Sequence, residues 1–212
     1  MFAINGHTPD EWGAIHIHTE IASPEPRIEM LEVPLRDGAI NTSAMLSNTV
    51  HYNTREIVLG MEVMKLRDMW PLVYSAVLKD VHGQAVEVSL DNDPDYFWEG
   101  SATVEPMEDH GATAGITIRI QAQPFKKTRN WKIGPEVSIT TSESETISIN
   151  AMRAYPEFDA STTGIVMSYN SVSYTLPSGK STVYGLVFVE GDNDLDFSGP
   201  GVVDIRYREG TL

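Results

Sequence analysis

The stretch Ala14-Ile15-His16-Ile17-His18-Thr19-Glu20-Ile21 alternates apolar and polar side chains with a period of two residues. Successive side chains of a β-strand point to opposite faces of a sheet, so this pattern is typical of a strand with one buried face. The predicted faces are Ile15, Ile17 and Thr19 on one side, and His16, His18 and Glu20 on the other. The same period recurs along the chain and favours a mainly-β protein.

Further strand-like segments span residues 57–63, 85–90, 101–106, 115–122, 137–141, 146–149, 164–169, 183–189 and 202–207. Glycine, proline, asparagine and aspartate are turn-forming residues, and they separate these segments. Many short strands with frequent turns indicate an antiparallel sandwich. The acidic runs 91–95 and 192–196 are interpreted as solvated turns.

One segment has helical spacing instead. Its apolar residues Trp70, Val73, Val77 and Val81 recur three and four positions apart, which predicts one amphipathic helix over 68–81. Asp68 is expected to cap it, Pro71 suits the first turn, and Gly83 is expected to end it. The helix is predicted to pack its Trp70 stripe on a sheet; binding to a membrane surface is the alternative.

Composition excludes several classes of function. The 212 residues carry 30 acidic and 15 basic side chains, a formal net charge of −15. Phosphate backbones and anionic membranes would repel such a surface, so no nucleic-acid binding and no membrane insertion are expected. The chain has no cysteine, which removes disulfides, thiolate metal sites and thiol catalysis. The first seven residues lack a signal-peptide pattern, so we expect synthesis in the cytosol.

Candidate catalytic and metal sites are few. His16 and His18 on one strand face could hold a metal, but only Glu20 stands near them, and a half-exposed strand shows the same pattern. The 192–196 run begins like a calcium loop, but Phe197 and Val203 occupy its required Gly and Glu positions. No nucleophile elbow, phosphate loop or zinc-protease motif is present. We therefore expect no enzyme activity, no metal and no cofactor.

The only strongly basic segment, 124–135, contains Phe125 and Trp131. It is interpreted as the linker at a domain boundary, and a small nucleic-acid patch with stacking aromatics is the alternative.

Several segments, in order, resemble the distal tail protein family of long-tailed (siphovirus-type) phages and their prophages. Their positions span nearly the whole chain. They are Phe2-Ala3-Ile4-Asn5-Gly6, Trp12-Gly13-Ala14-Ile15, Val33-Pro34-Leu35-Arg36-Asp37-Gly38-Ala39, Tyr52-Asn53-Thr54-Arg55-Glu56-Ile57, Asp93-Pro94-Asp95-Tyr96-Phe97-Trp98-Glu99-Gly100, 115–126 and Val203-Asp204-Ile205-Arg206-Tyr207-Arg208-Glu209-Gly210-Thr211-Leu212. The chain departs from the family at Leu35, where members usually carry glycine, and a leucine does not easily adopt φ > 0.

The resemblance implies two β-sandwich-type domains. Residues 1–128 would form the ring-building domain with the single helix, and 129–212 would form a galectin-like sandwich. It also implies a homohexameric ring at the virion tail tip, assembled in the host bacterial cytoplasm. Such a ring is a baseplate hub that joins the tail tube protein to tail-tip proteins, and to receptor-binding and tape-measure proteins, around a channel for DNA.

Ring contacts are expected at Pro34, Leu35, Arg36, Asp37 and Gly38, and at Arg55. Arg36 and Arg55 could bridge to a carboxylate of a neighbouring copy. Equally, Arg55 could pair with Asp37 or another carboxylate of its own subunit.

Two other functions compete with the hub. A carbohydrate-binding adhesin would hold glycans on the outer sandwich through Trp98, Tyr96 or Tyr174. A glycosidase or other hydrolase would use a carboxylate pair, which 30 acidic residues do not exclude.

Overall fold

Antiparallel strands make up most of the chain, which confirms the prediction of a mainly-β protein. The structure is a computed structural model that describes residues 1–32, 34–35, 37–43 and 50–212. These residues divide into two compact units, Met1–Lys126 and Lys127–Thr211, each with its own apolar core. The chain passes from one unit to the other within a short strand, β10 (Lys126–Thr128).

The described residues of the first unit form a large antiparallel sheet, a separate two-stranded sheet, two α-helices and a 3-10 helix. Its elements are β1 (Phe2–Ile4), α1 (Pro9–Trp12), β2 (Ala14–Ile21), β3 (Met30–Glu32), β4 (Ala39–Asn41), β5 (Arg55–Val63), a 3-10 helix (Arg67–Met69), α2 (Trp70–Val81), β6 (Ala85–Leu90), β7 (Asp93–Val104), β8 (Glu108–Asp109) and β9 (Ala114–Ala122). Within this unit the strands follow the order β1-β6-β7-β9-β5-β2, with β8 beside β9. Strands β3 and β4 pair only with each other among the described residues.

Helix α2 packs on the core as predicted. Trp70, Val73, Val77 and Val81 are its buried residues, and Pro71 lies in its first turn. The predicted cap is wrong: Asp68 lies in the preceding 3-10 helix, and Met69 occupies the N-cap position with no side-chain hydrogen bond. The sequence pattern also missed α1, a single turn whose Trp12 donates a hydrogen bond from Nε1 to Asp80 of α2 at 3.0 Å.

Strand β2 contains a bulge that its sequence pattern does not reveal. Its pairing with β5 shifts between His16 and His18, so Ile17 has no direct partner. Before the shift His16 lies opposite Met61 of the core face, and its ring meets Phe2 edge-on at 5.5 Å. After the shift His18 lies on the other face, over Gly60. The prediction that His16 and His18 share one face is therefore wrong, because one extra residue reverses the alternation.

The second unit is built on seven strands. They are β11 (Lys132–Ile139), β12 (Ser142–Ala160), β13 (Ile165–Tyr169), β14 (Val172–Leu176), β15 (Gly179–Ser181), β16 (Phe188–Ser198) and β17 (Gly201–Thr211). Pairing follows the order β11-β17-β12-β16-β13-β14, with β15 beside β12. Several of these strands extend well beyond the predicted segments, since 146–149 is only part of the 19-residue β12.

The alternation of buried and exposed side chains along strand β12 shifts by one residue in the middle of the strand. Ile147 and Ile149 are buried in its first half, and Ala154 and Phe158 in its second half. The first half pairs with β16 and the second with β17, with a register shift after Ile149. Odd-numbered residues face the core before this shift, and even-numbered residues face it afterwards. The irregularity thus allows both halves of one long strand to contribute side chains to the core.

Strand β16 undergoes the same change, and a buried amide secures it. Asn193 accepts hydrogen bonds from the Tyr169 hydroxyl (2.7 Å) and the Val189 N–H (3.0 Å). Its Nδ2 donates to the carbonyls of Val189, Gly191 and Ile147 at 2.9–3.2 Å. The amide thus satisfies carbonyl groups around the irregular turn of β16.

The acidic run 192–196 lies inside β16, so its interpretation as a solvated turn is wrong. Asp192, Asp194 and Asp196 point outward, and Asn193 and Leu195 point inward. Hydroxyl groups of the paired strand β12 stabilise these carboxylates by hydrogen bonds, since Ser144 donates to Asp196 at 2.6 Å and Thr146 to Asp194 at 2.7 Å. The run 91–95 is a turn only at its start, because β7 begins at Asp93.

Replacing Phe158 by alanine tests the core of the second unit. Phe158 is fully buried, so its truncation leaves a cavity and is expected to lower the free energy of unfolding by about 3–5 kcal/mol. Tyr184→Ala is the matched control, because this aromatic side chain is fully exposed and its loss should change stability by less than about 0.5 kcal/mol. Thermal and urea unfolding of the two variants would measure the difference, and similar losses in both would contradict the assignment of this core.

Candidate assembly surfaces

The described part of the connection between β2 and β5 forms an arm, residues 25–32, 34–35, 37–43 and 50–53. Its base is a narrow ladder in which Asn53 N–H donates to Glu25 and Arg27 N–H donates to His51, each at 2.8 Å. The Arg27 Nε also donates to the Asn53 side chain at 2.8 Å. Further out, β3 and β4 form a two-stranded hairpin. An isolated hairpin of this size is marginally stable in water, so the arm has little support of its own.

Large apolar side chains of the arm face solvent. The exposed ones are Ile28, Met30, Leu31, Leu35 and Val50. Together they form an exposed apolar set without a covering element in the described chain, which is the usual sign of an interaction surface.

The predicted contact loop lies at the tip of this arm. Pro34, Leu35, Asp37 and Gly38 are all exposed, whereas Arg36 lies outside the described residues. Leu35 adopts φ = 67° and Gly38 φ = 75°. The left-handed conformation is strained for leucine, and the side chain at this position is fully exposed.

Arg55 begins β5 and is only 6% exposed. Neither predicted intrasubunit pairing is present within the described residues, and its Nε there has no hydrogen-bond partner. Burial lowers the pKa of the Arg55 guanidinium. A buried cation of this kind is costly to the fold unless a partner compensates it.

The structure does not bring the candidate metal ligands His16 and His18 together. His16 accepts or donates a hydrogen bond with Thr19 Oγ1 at 2.9 Å on the core face, and His18 lies on the opposite face of β2. Among the residues that the structure describes, no group of three His, Asp or Glu side chains is arranged to hold a metal ion.

A different histidine forms an ionic cluster that the sequence did not suggest. His110 contacts Glu62 at 2.9 Å through Nδ1 and Glu108 at 3.4 Å through Nε2. The hydrogen bond to Glu62 is the main cause of a raised pKa of His110. Hydrogen bonding by the Thr113 hydroxyl, and then the contact with His110, lower the pKa of Glu62. The His110 ring also lies on Gly115 of β9, where a Cβ would come within 2.7 Å of it.

The basic segment 124–135 is occupied by internal contacts. Phe125 is buried and meets Tyr52 edge-on at 5.7 Å. Within the second unit, Trp131 lies between the guanidinium groups of Arg206 and Arg208, each 4.4 Å from its ring centroid. The two aromatic rings that could stack on bases are therefore already engaged.

The aromatic residues proposed for glycan binding do not all belong to the second unit. Trp98 is buried, and Tyr96 lies under the Lys126 ammonium at 4.6 Å, and both belong to the first unit. Tyr174 lies in the second unit and packs against its core. This arrangement does not favour the adhesin interpretation.

A second exposed apolar surface escaped sequence analysis. Met64, Leu66, Met69 and Leu72 follow β5 and lead into α2, and they are 60%, 77%, 42% and 63% exposed. We call these four residues the apolar patch. Neighbouring groups hold it in place: Trp70 Nε1 donates to the Lys65 carbonyl at 2.9 Å, and Arg67 stacks 5.2 Å from the Trp70 ring and pairs with Asp109. No local sequence signal distinguishes these four residues from residues of the core.

Comparison with solved structures gives a likeness over the full length of the chain. The crystal structure of SPP1 Dit (gp 19.1) superposes with a TM-score of 0.64 at 13% sequence identity, and the match covers 100% of both chains. The fold is that of a distal tail protein. SPP1 Dit is described as a paradigm of the hub adsorption apparatus in phages that infect Gram-positive bacteria.

The sequence resemblance is thus confirmed at the level of the distal tail fold. No family model matches the chain, and no curated protein matches it. In the described residues no helix is both long and apolar enough to cross a membrane.

Substituting His110 by glutamine tests the ionic cluster. Because the folded pKa of His110 is raised, its stabilisation is complete below the ordinary value of about 6.5 and is lost as pH rises through the folded pKa. The wild-type protein should therefore exceed His110→Gln in melting temperature near about pH 6, and by less at about pH 9. His7→Gln is the control, since His7 forms an exposed contact with the single carboxylate of Glu11 and its ring lies 6.1 Å from that of Trp12. A difference between wild type and His110→Gln that does not vary with pH would contradict this role.

Proposed function

We propose that this protein is a structural hub of a phage tail tip, without catalytic activity or cofactor. The observation that carries the proposal is the distal tail fold over the full length of the chain. In this proposal residues 1–128 build a homohexameric ring and 129–212 form the galectin-like domain. The ring joins the tail tube protein to tail-tip and adhesion proteins at the end of the virion tail.

A central channel of this ring would let DNA pass. The net charge of −15 per chain supports this role, since carboxylates and phosphates repel each other across roughly a Debye length of 8–10 Å. An acidic wall would keep the DNA from adhering during its passage.

The arm supports assembly from copies of the chain. Its exposed apolar side chains and its slender base leave it poorly stabilised in a single subunit. Burial of apolar surface is the dominant favourable term in protein association, so contact with a neighbouring copy would stabilise the arm. We assign the ring contacts to its tip, Pro34 to Gly38.

Leu35 is the most informative residue of this tip. A leucine in the left-handed conformation costs roughly 1–2 kcal/mol, and a single subunit gains nothing from its fully exposed side chain. Burial of this side chain at a neighbouring copy would offset the strain. Arg55 is the second proposed contact residue, since its buried guanidinium would gain from a carboxylate brought in on assembly.

The mass of the assembly in solution tests the proposal. The chain has a mass of 23.5 kDa, and we expect native mass spectrometry and light scattering to detect a particle of six copies. Electron micrographs of the same sample should show rings with an open centre. A chain that stays monomeric at every concentration would refute the hub.

Substitutions at Leu35 test the arm tip. Leu35→Gly relieves the backbone strain and Leu35→Asn tolerates it, so neither variant should destabilise the monomer. Both remove an apolar side chain worth about 1.5–3 kcal/mol when buried, so the concentration for half-assembly should rise about tenfold or more. Tyr184→Asn is the matched control at an exposed site of the other unit. Unchanged assembly of both Leu35 variants would remove this residue from the interface.

A further inference from the structure

We propose that the apolar patch (Met64, Leu66, Met69 and Leu72) is the docking site for the arm of a second copy of this chain. The inference rests on the proposed ring and adds the surface that receives each arm. It makes the contact heterologous, because two different surfaces of the chain meet.

The arm and the apolar patch both expose large apolar side chains to solvent. Within one subunit the five exposed apolar residues of the arm and the four residues of the patch all face solvent, so the arm does not cover the patch of its own chain. Each surface concentrates several large apolar side chains, whereas isolated exposed ones are ordinary for a monomer. An arm from another copy would bury both sets in one contact.

Charge favours the pairing of these two surfaces. The whole chain is strongly acidic, so most approaches between copies are repulsive. The segment 64–72 is an exception, with Lys65 and Arg67 against the single acid Asp68, and Lys65 remains as its excess charge when Arg67 pairs with Asp109. The arm has more acidic than basic residues, and its acidic residues Glu25, Glu29, Glu32 and Asp37 are all exposed. An acidic arm therefore meets a basic, apolar acceptor.

The apolar patch is held more firmly by the rest of the subunit than the arm is. The patch is part of a rigid structure, because α2 buries Trp70, Val73, Val77 and Val81 beneath it and Trp70 is bonded to Lys65. The arm is a hairpin on a narrow base. A preorganised acceptor lowers the entropic cost of binding such a segment, and two methionines give it an adaptable surface.

The geometry of assembly is consistent with this contact. A heterologous contact repeats from copy to copy, and it closes into a ring when the rotation between copies allows it. A patch that paired with the same patch would instead stop at a dimer.

Cross-linking in this cysteine-free chain tests the contact directly. Single-cysteine chains Leu31→Cys and Leu72→Cys, mixed in equal amounts and treated with a short bis-maleimide, should form a covalent dimer on a denaturing gel. The double variant Leu31→Cys/Leu72→Cys should form a ladder up to six chains. Both side chains are more than half exposed, so the substitutions should not disturb the fold.

The controls separate this contact from other arrangements. Leu72→Cys alone should give no dimer, and Leu31→Cys mixed with Val172→Cys, an exposed site of the second unit, should give none. Efficient cross-linking in either control, or none between Leu31→Cys and Leu72→Cys, would overturn the docking site.

A second measurement does not depend on cross-linking. Leu72→Asp should raise the concentration for half-assembly at least tenfold without lowering the melting temperature, and Val172→Asp should leave assembly unchanged. A wild-type ring that persists in Leu72→Asp overturns only the docking site. A wild-type chain that never assembles overturns the proposed hub and, with it, this contact.

Discussion

Only every second side chain of a β-strand can point into the core. An extra residue in a strand therefore changes which of the following side chains are buried and which are exposed. Strand β2 has one extra residue at its bulge, and strands β12 and β16 each reverse their phase. If odd-numbered residues face the core before an interruption, even-numbered residues face it afterwards, and the reverse also holds. The outward row of aspartates on β16 and the separation of His16 from His18 both follow from this single constraint.

The regular parts of the fold were predictable because local chemistry and burial agree there. The four buried residues of α2 follow from helical spacing, and strands such as β9 follow from strict alternation. Asp68 was a wrong cap because a 3-10 turn precedes the helix and moves its start by two residues. The 192–196 run was misassigned because alternating Asp and Asn satisfy both a turn preference and a strand period, and only the partner strand β12 decides between them.

The assembly surfaces were harder to predict, because exposure depends on tertiary structure. The sequence contains Met64, Leu66 and Met69 as ordinary apolar residues, and nothing local shows that the core excludes them. The tip loop was proposed as a contact surface through resemblance, and its left-handed Leu35 contradicts the expectation from propensity. Such a local conflict with an otherwise consistent sequence is typical of functional positions.

Nine of the seventeen large apolar side chains that are exposed among the described residues lie in the arm and in the apolar patch. Each unit has a closed core, whereas many exposed apolar side chains lie in the arm and in the patch. The folding of one subunit therefore leaves a specific part of its apolar surface unburied, and that part is available for association.

The buried amide of Asn193 has a consequence for the motions of the second unit. This one side chain is bonded to β12, to β16 and to Tyr169 at the end of β13. The edge hairpin of β13 and β14 cannot detach without breaking the bond to Tyr169 inside the core, so its opening is energetically linked to the centre of the unit. Slow amide hydrogen exchange should consequently extend outward to this edge, and the sheet should open as one cooperative unit.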